Sequence, residues 1–261
     1  MDNPEKPQSL RCWCGSTDLL PYSFDYRRCA ACETLVVARA ISTDITRIQD
    51  EEKDLYGKQY WFGHQEKDLN LPTIGQRIRG DIIDRGLYWL RTLLKFKLPP
   101  ARVLELGSAH GGFVALLRNA GYRAEGLELS PEIVALAKAT FDVTLRTGPI
   151  EDQDVPEGSL DAVVLFDVLE HFPNPVSSME RSAKLLKDDG ILVIQTPCYD
   201  PELSYDMLME SKNRFQEMLK PGEHLFLFSR KSLTNPARKM DFMRLRHTPK
   251  RLMKTKMRTN L

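Results

Sequence analysis

Val103-Leu104-Glu105-Leu106-Gly107-Ser108-Ala109-His110-Gly111-Gly112-Phe113 runs from a short apolar strand into a knot of small residues, with one carboxylate two positions ahead of the first glycine. GGFVALLRNAG then has helical periodicity, so the stretch reads as strand, tight turn and helix. Gly107, Ala109 and Gly111 let the backbone approach a ligand, and a helix start near Gly111 offers unpaired amides. The same rhythm continues outward. RAEGLEL is a strand, and PEIVALAKATF is a helix capped by Ser130 with Pro131 at its first position. DVTL and the apolar DAVVLF are strands, PVSSMERSAKLLKDDG is a helix stopped by Gly190, and ILVIQT is a further buried strand. HLFLF, SRKSLTNPARKM and FMRLRH are expected to add a late strand, a helix and a short strand at an antiparallel edge. Apolar runs without alternation mark strands covered on both faces, and strands alternating with helices give a parallel, doubly wound α/β sheet. Upstream, Ile74, Ile78, Ile82, Leu90 and Leu94 recur at helical spacing and predict a helix packed on that core.

In such a sheet the ligand lies at the carboxyl ends of the strands, beside the first one. Glu128 ends the second strand twenty-one residues past Gly107, where a carboxylate accepts ribose hydroxyls. These features alone fit a dinucleotide or a sulfonium nucleoside. GSAHGG puts Ala109 where a dinucleotide site needs its second glycine. Glu105 would repel a pyrophosphate, whereas it can pair with an α-ammonium directly or through water. S-adenosylmethionine carries both that ammonium and a ribose diol.

With these residues the chain resembles the class I S-adenosylmethionine-dependent methyltransferases over about residues 100–230. VLELGSAHGG is similar to their first motif, with Ala109 departing from its middle glycine. GLELS, GPIED, LFDVLEHFPNP and the QTP and EHLFLFS blocks follow in order at family spacing. The resemblance implies a Rossmann-like, seven-stranded methyltransferase sheet. It implies that Glu105, Gly107, Ser108, Ala109 and Gly111 surround the methionine end and that Glu128, with Leu129 beside it, takes the ribose. Ile150 and Glu151 would flank the adenine, Asp167 and Val168 would lie near the sulfonium, and Tyr60 with Trp61 would close over the cofactor. Methyl transfer mainly needs alignment and exclusion of water, plus a base where the acceptor carries a proton. His171 and His224 stand where the acceptor belongs. In some resembling sugar carbon-methyltransferases a Glu-His pair carries the base, which assigns Glu223 to orient or share the proton with His224.

Cys12, Cys14, Cys29 and Cys32 form CxC and CxxC pairs, the way a ribbon brings four thiolates to a tetrahedral ion, zinc ahead of iron. With four protein ligands the ion would be structural. The first pair departs from the usual CxxC knuckle. The front module also resembles zinc-bearing modules of some sugar and natural-product methyltransferases. The expected division is a zinc-ribbon-like module at 1–45, a connector and helical cap at 46–98, and the cofactor-binding domain with a basic tail at 99–261. Of the 261 residues, 42% are apolar and 28% charged, and no apolar run approaches the roughly 18 residues of a membrane helix. The polar start MDNPEKPQSL is unlike a secretory signal, so a cytoplasmic address is expected. Residues 229–261 hold eleven Lys and Arg against Asp241, a net +10 that leaves −9 for the rest. The leading reading is methylation of a small-molecule acceptor at oxygen or carbon, for example a sugar or natural-product intermediate. The alternatives are an RNA methyltransferase docking through ribbon and tail, and a non-catalytic cofactor-binding or interaction module.

Overall fold

In the computed structural model, which describes residues 10–42 and 44–233, the four N-terminal cysteines frame an antiparallel meander. Its strands β1 (Leu19–Pro21), β2 (Tyr26–Cys29) and β3 (Leu35–Val37) pair in chain order, Leu19 opposite Cys29 and Tyr26 opposite Val37. So small a sheet has little core of its own. The connector then enters a wide helical segment, Tyr60–Asp68. Helix α1 (Ile74–Asp81) opens with a capping box, in which Thr73 Oγ1 accepts from the Gln76 amide and Gln76 Oε1 accepts from the Thr73 amide. Looser turns at Ile82–Gly86 carry the chain into α2 (Leu87–Leu94). Of the stripe expected there Ile74 is buried while Ile78, Ile82, Leu90 and Leu94 are half-buried; Trp89 and Leu93, one position earlier, take the buried places, and Ile83 and Leu87 face solvent.

The alternating segment follows as β4 (Arg102–Leu106), α3 (Gly112–Asn119), β5 (Arg123–Glu128), α4 (Pro131–Phe141), β6 (Arg146–Thr147), β7 (Leu160–Phe166), α5 (Pro175–Leu185) and β8 (Leu186–Gln195). All five strands are parallel in the order β6-β5-β4-β7-β8. The chain builds outward from β4 in one direction, then returns to build from β7 in the other. The switch point therefore lies at the carboxyl ends of β4 and β7. The Rossmann-like fold expected from the sequence is present.

Three local expectations shift. The helix expected to reach Gly190 ends at Leu185, because Leu186 pairs with Leu160 and a bulge carries the strand on to Ala162 opposite Ile191. Lys187 and Asp189 then form ion pairs with Asp161 and Lys97 instead of helical turns. Asp142 ends α4 in a left-handed conformation, so Val143 and Leu145 fill the core without pairing and β6 begins only at Arg146. β8 is half-buried, since no strand among the described residues runs along its outer edge.

The larger correction concerns HLFLF. After α6 (Tyr205–Glu210), β9 (Phe226–Leu227) joins the cysteine sheet, antiparallel to β3 with Leu35 opposite Leu227, giving the order β1-β2-β3-β9. Only a parallel bridge between Cys198 and Phe228 links it to the end of β8. The main sheet thus has five strands among the described residues where seven were expected; FMRLRH lies outside the described residues. The reason is apolar matching. Leu225, Phe226, Leu227 and Phe228 are all at most 3% exposed, each contributing roughly 2 kcal/mol on burial, and they fuse Tyr26, Leu35 and Val36 with Leu104, Leu127 and Leu165 into one core.

Candidate functional site

β4 delivers Glu105 to the switch point, and the turn after it alternates into left-handed conformations at Gly107 (φ 67°), Ala109 (φ 46°) and Gly111 (φ 76°). A side chain on Gly107 would place its Cβ 2.6 Å from a Val168 methyl, so this position tolerates only glycine. Ser108 locks the turn: its amide donates to Leu127 O (2.8 Å) and its hydroxyl to Glu105 O (3.1 Å). Ala109 keeps the left-handed backbone that a glycine would adopt without strain, at a cost of about 1 kcal/mol or more. That conformation aims its amide at Glu128 Oε2, 2.9 Å away.

Two buried carboxylates face this turn. Glu105 is 4% exposed, and its Oε2 has no hydrogen-bond partner. Burial pushes its pKa up to about 8, outweighing the help of Ser108. Glu128 is 5% exposed, and burial likewise raises it, to about 7, although three backbone amides favour its charged form. Leu129 and Ser130 amides occupy its Oε1 at 2.8 and 3.3 Å. With Ala109 on Oε2, one acceptor position on that oxygen stays open. Ile150 is buried in the helical turn Ile150–Asp152, and Glu151 accepts from the Ser178 hydroxyl (2.5 Å); both line the cleft. Asp167, left-handed at φ 57°, is claimed by protein groups. Arg85 Nη2 donates to it at 2.8 Å and Gln195 Nε2 at 3.1 Å, while Trp89 Nε1 donates to Gln195 Oε1.

A second cluster on the cleft gathers Tyr56, Tyr60, Glu170, His171, Glu223 and His224, with His64 joined to it through Glu223. His224 is 5% exposed and its Nδ1 donates to Met218 O at 2.7 Å, which leaves Nε2 as the lone-pair nitrogen. Burial lowers its pKa below the ordinary histidine value, and burial also holds His171 well below that value, with His224 adding to the effect. The two rings meet edge to face at 4.8 Å, and Tyr56 Oη shares a hydrogen bond with His171 Nδ1 (3.0 Å). Glu170 is 1% exposed, accepts from Thr196 Oγ1 (2.8 Å) and is pushed by burial up to about 8.

The expected link between Glu223 and His224 is absent. Both amides donate to Lys220 O in the turn ahead of β9, and from that turn Glu223 instead accepts from Tyr60 Oη (2.8 Å) and pairs with His64 Nε2 (2.9 Å). Tyr60, expected at the cofactor, therefore has its hydroxyl on Glu223. His64 also pairs with Asp68 (2.8 Å); burial draws its pKa down, but the two carboxylates more than offset that and leave it raised. Tyr56, His64, Arg85, Glu170 and the Met218 carbonyl had no motif to announce them, although Glu170 adjoins His171 in the LEH turn.

The cysteine sheet backs this cluster. Tyr26 Oη donates to His224 O (2.9 Å), and Arg39 donates to the carbonyls of Pro221 and Gly222. The Val37 amide donates to Leu225 O at 3.0 Å, and Trp13 packs edge-on against Phe228 at 4.9 Å. Cys12 and Cys32 sulfurs lie 3.5 Å apart and Cys14 and Cys29 sulfurs 3.6 Å, all four within 4.8 Å of one another. A tight turn, with the Gly15 amide on Cys12 O and the Cys12 amide on Ser16 O, lets the short CxC spacing converge.

Residues 81–246 match a family model described as a methyltransferase domain. The chain is 29% identical over 142 residues to the ubiquinone biosynthesis O-methyltransferase of Xanthomonas campestris pv. campestris, a match covering 48% of this chain and 59% of that protein. It is 28% identical over 145 residues to the enzyme of the same name from Xanthomonas oryzae pv. oryzae, covering 49% and 61%. The chain thus spans about three-fifths of the length of these curated relatives. Among solved structures, an S-adenosylmethionine-dependent methyltransferase from Archaeoglobus fulgidus superposes with a TM-score of 0.50 at 18% identity, covering 64% of this chain and 71% of that one. That likeness is one of fold. No helix among the described residues is long and apolar enough to cross a membrane.

Proposed function

The chain belongs to the methyltransferase domain family, and from that premise we propose that it is an S-adenosylmethionine-dependent enzyme that methylates a hydroxyl or an acidic carbon of a small-molecule acceptor. The observation that carries the cofactor assignment is Glu105: a buried carboxylate with an unpartnered oxygen, under a turn where backbone approaches closely. Such a group costs several kcal/mol unless a cation arrives, and an α-ammonium is a cation of the right size. Glu128 has one free acceptor position for a ribose hydroxyl. Ile150 and Glu151 flank the adenine, and Val168 stands against Gly107 near the sulfonium.

Bound S-adenosylmethionine supplies an activated methyl group for in-line displacement. The protein aligns the acceptor, excludes water and removes a proton. His224 suits the last task, because Met218 O fixes its tautomer and burial keeps it neutral, with Nε2 as the proton acceptor. His171, held by Tyr56, orients the acceptor. Glu223 acts on the other side of the segment, where Tyr60 and His64 anchor it. The curated relatives named for O-methylation support a small acceptor. So do the carboxylates Glu105, Glu128, Glu151, Asp167, Glu170 and Glu223 around the cleft, which disfavour a polyanion. The four cysteine sulfurs suit a structural zinc ion, since a tetrahedral site with Zn–S near 2.3 Å sets sulfurs about 3.8 Å apart. Cys12, Cys14, Cys29 and Cys32 would hold it, all from the protein, in an intracellular setting.

Calorimetric titration with S-adenosylmethionine and with NAD tests the cofactor, and turnover on a panel of phenols and nucleotide sugars tests the acceptor. Micromolar binding of the sulfonium alone, with product formation lost in His224→Ala, is expected. Binding of NAD in its place would overturn the assignment.

A further inference from the structure

Four buried side-chain polar atoms among the described residues lack a hydrogen-bond partner: Tyr22 Oη, Trp61 Nε1, Glu105 Oε2 and Ser159 Oγ. Two of them, Trp61 and Glu105, line the same cleft, and they are complementary. One is a carboxyl that becomes an anionic acceptor when a cation displaces its proton, and the other an indole N–H that can only donate. The chain has three tryptophans, and the other two are satisfied: Trp13 Nε1 donates to Thr34 Oγ1 at 3.0 Å and Trp89 Nε1 to Gln195 Oε1 at 3.1 Å. Trp61 is 9% exposed. Its ring belongs to a cluster with Tyr56, Tyr60, Ile74 and Ile133, against which Ala109 and Leu129 pack. The cluster that holds Trp61 therefore borders the turn that follows Glu105 and the residue that follows Glu128.

The cofactor reading leaves one charge unanswered. An α-amino acid brings a carboxylate together with its ammonium, and a carboxylate taken out of water needs donors. Arg85, also on the cleft, is committed to Asp167 at 2.8 Å. Arg77 is held by Gln65 and Asp81, with its guanidinium 5.3 Å over the Trp61 ring. The ribose does not call for a donor, because the open position on Glu128 Oε2 accepts from its hydroxyls. We propose that Trp61 Nε1–H donates to the α-carboxylate of bound S-adenosylmethionine, so that Trp61 and Glu105 together read the zwitterion. The proposal rests on the cofactor assignment above.

The test compares S-adenosylmethionine with its decarboxylated analogue by calorimetry on the full chain. Trp61→Phe keeps the ring and removes the N–H, and is expected to weaken S-adenosylmethionine about tenfold while leaving the analogue within twofold of its affinity for the unmodified protein. In 15N-labelled protein, an indole resonance absent from Trp61→Phe spectra should move downfield with S-adenosylmethionine and not with the analogue. Equal weakening of both ligands by Trp61→Phe, or of neither, would overturn the role of Trp61 alone. Should the variant fold poorly, a Trp61 resonance that responds equally to both ligands has the same force. Failure of the unmodified protein to bind S-adenosylmethionine would instead remove the cofactor assignment and this inference with it.

Discussion

The two sheets of this molecule treat their polar groups differently. Around the cysteine sheet the buried donors Tyr26 Oη and Trp13 Nε1 find protein partners, with Tyr22 Oη the exception, and four sulfurs converge on one point. At the switch point of the parallel sheet, Glu105 has no partner for Oε2, and Glu105 and Glu128 both sit in positions that raise their pKa values. On the proposed function the contrast separates two tasks: the parallel sheet would hold the cofactor, while the cysteine sheet holds the segment Pro221–His224 from behind.

The largest expected effect that bears on this division is in His224→Ala, which should lower kcat by about 10²–10⁴-fold and leave the affinity for S-adenosylmethionine within twofold. If cofactor affinity collapsed as well, the two ends would not be separable. Because burial depresses the pKa of His224, its base form persists at neutral pH, and the acid limb of the rate profile should fall below pH 6.5.

Glu105→Gln is next. It should weaken S-adenosylmethionine by about 50–100-fold, on the scale of a lost charge-assisted hydrogen bond. The same change should raise the thermal midpoint of the unliganded protein at neutral pH, because it removes a buried carboxyl that must hold a proton the unfolded chain has already released. The sign follows from the shift. An unfolded glutamate loses its proton near its ordinary value, while the folded one holds it to about 8. The unliganded fold is therefore favoured below the unfolded value and loses stability as pH rises toward 8. Ligand binding must expel that proton, so affinity should climb by at most about tenfold per unit between pH 5.5 and 7 in the unmodified protein. In Glu105→Gln the climb should be absent, as read by calorimetry across pH.

A smaller effect probes the contact between the regions. Tyr26→Phe deletes the hydrogen bond to His224 O and should reduce kcat about five- to tenfold at unchanged cofactor affinity. Stripping metal with a thiol-tolerant chelator should do the same to a greater extent. Loss of cofactor binding in either case would show that the cysteine sheet supports the whole domain and not one segment. The smallest expected effect is Ala109→Gly, which relieves a left-handed alanine. It should stabilise the protein by about 0.5–1 kcal/mol in denaturant melts without loss of binding.

The parallel sheet was legible because its signals are local. Its central strands carry short apolar runs, and α4 and α5 begin with their own caps, Ser130 accepting from the Ile133 amide and Asn174 from the Ser177 amide. Glu105, Gly107 and Glu128 could be read from one strand-turn-helix unit and its successor. What stayed hidden depends on pairing across the chain. HLFLF announces burial but carries nothing that says which sheet will take it, and the match of Leu35 to Leu227 exists only in three dimensions. Glu223 and His224 were legible as a pair by adjacency, and adjacency misled: the backbone turns one toward Tyr60 and His64 and the other toward Met218. Tyr56 and His64 lie in a connector with no repeating pattern, so only the fold brings them to His171 and Glu223.

β9 closes the cysteine sheet with residues that leave the ribosome after nearly everything else described here. During synthesis the cysteine meander emerges well before them and must wait, with Leu35 and Val36 uncovered, until Phe226 and Leu227 arrive. Completion of that module and assembly of the His224 end of the cleft are thus a single late event, and a chain cut short before this strand would display an open, apolar β edge to its neighbours.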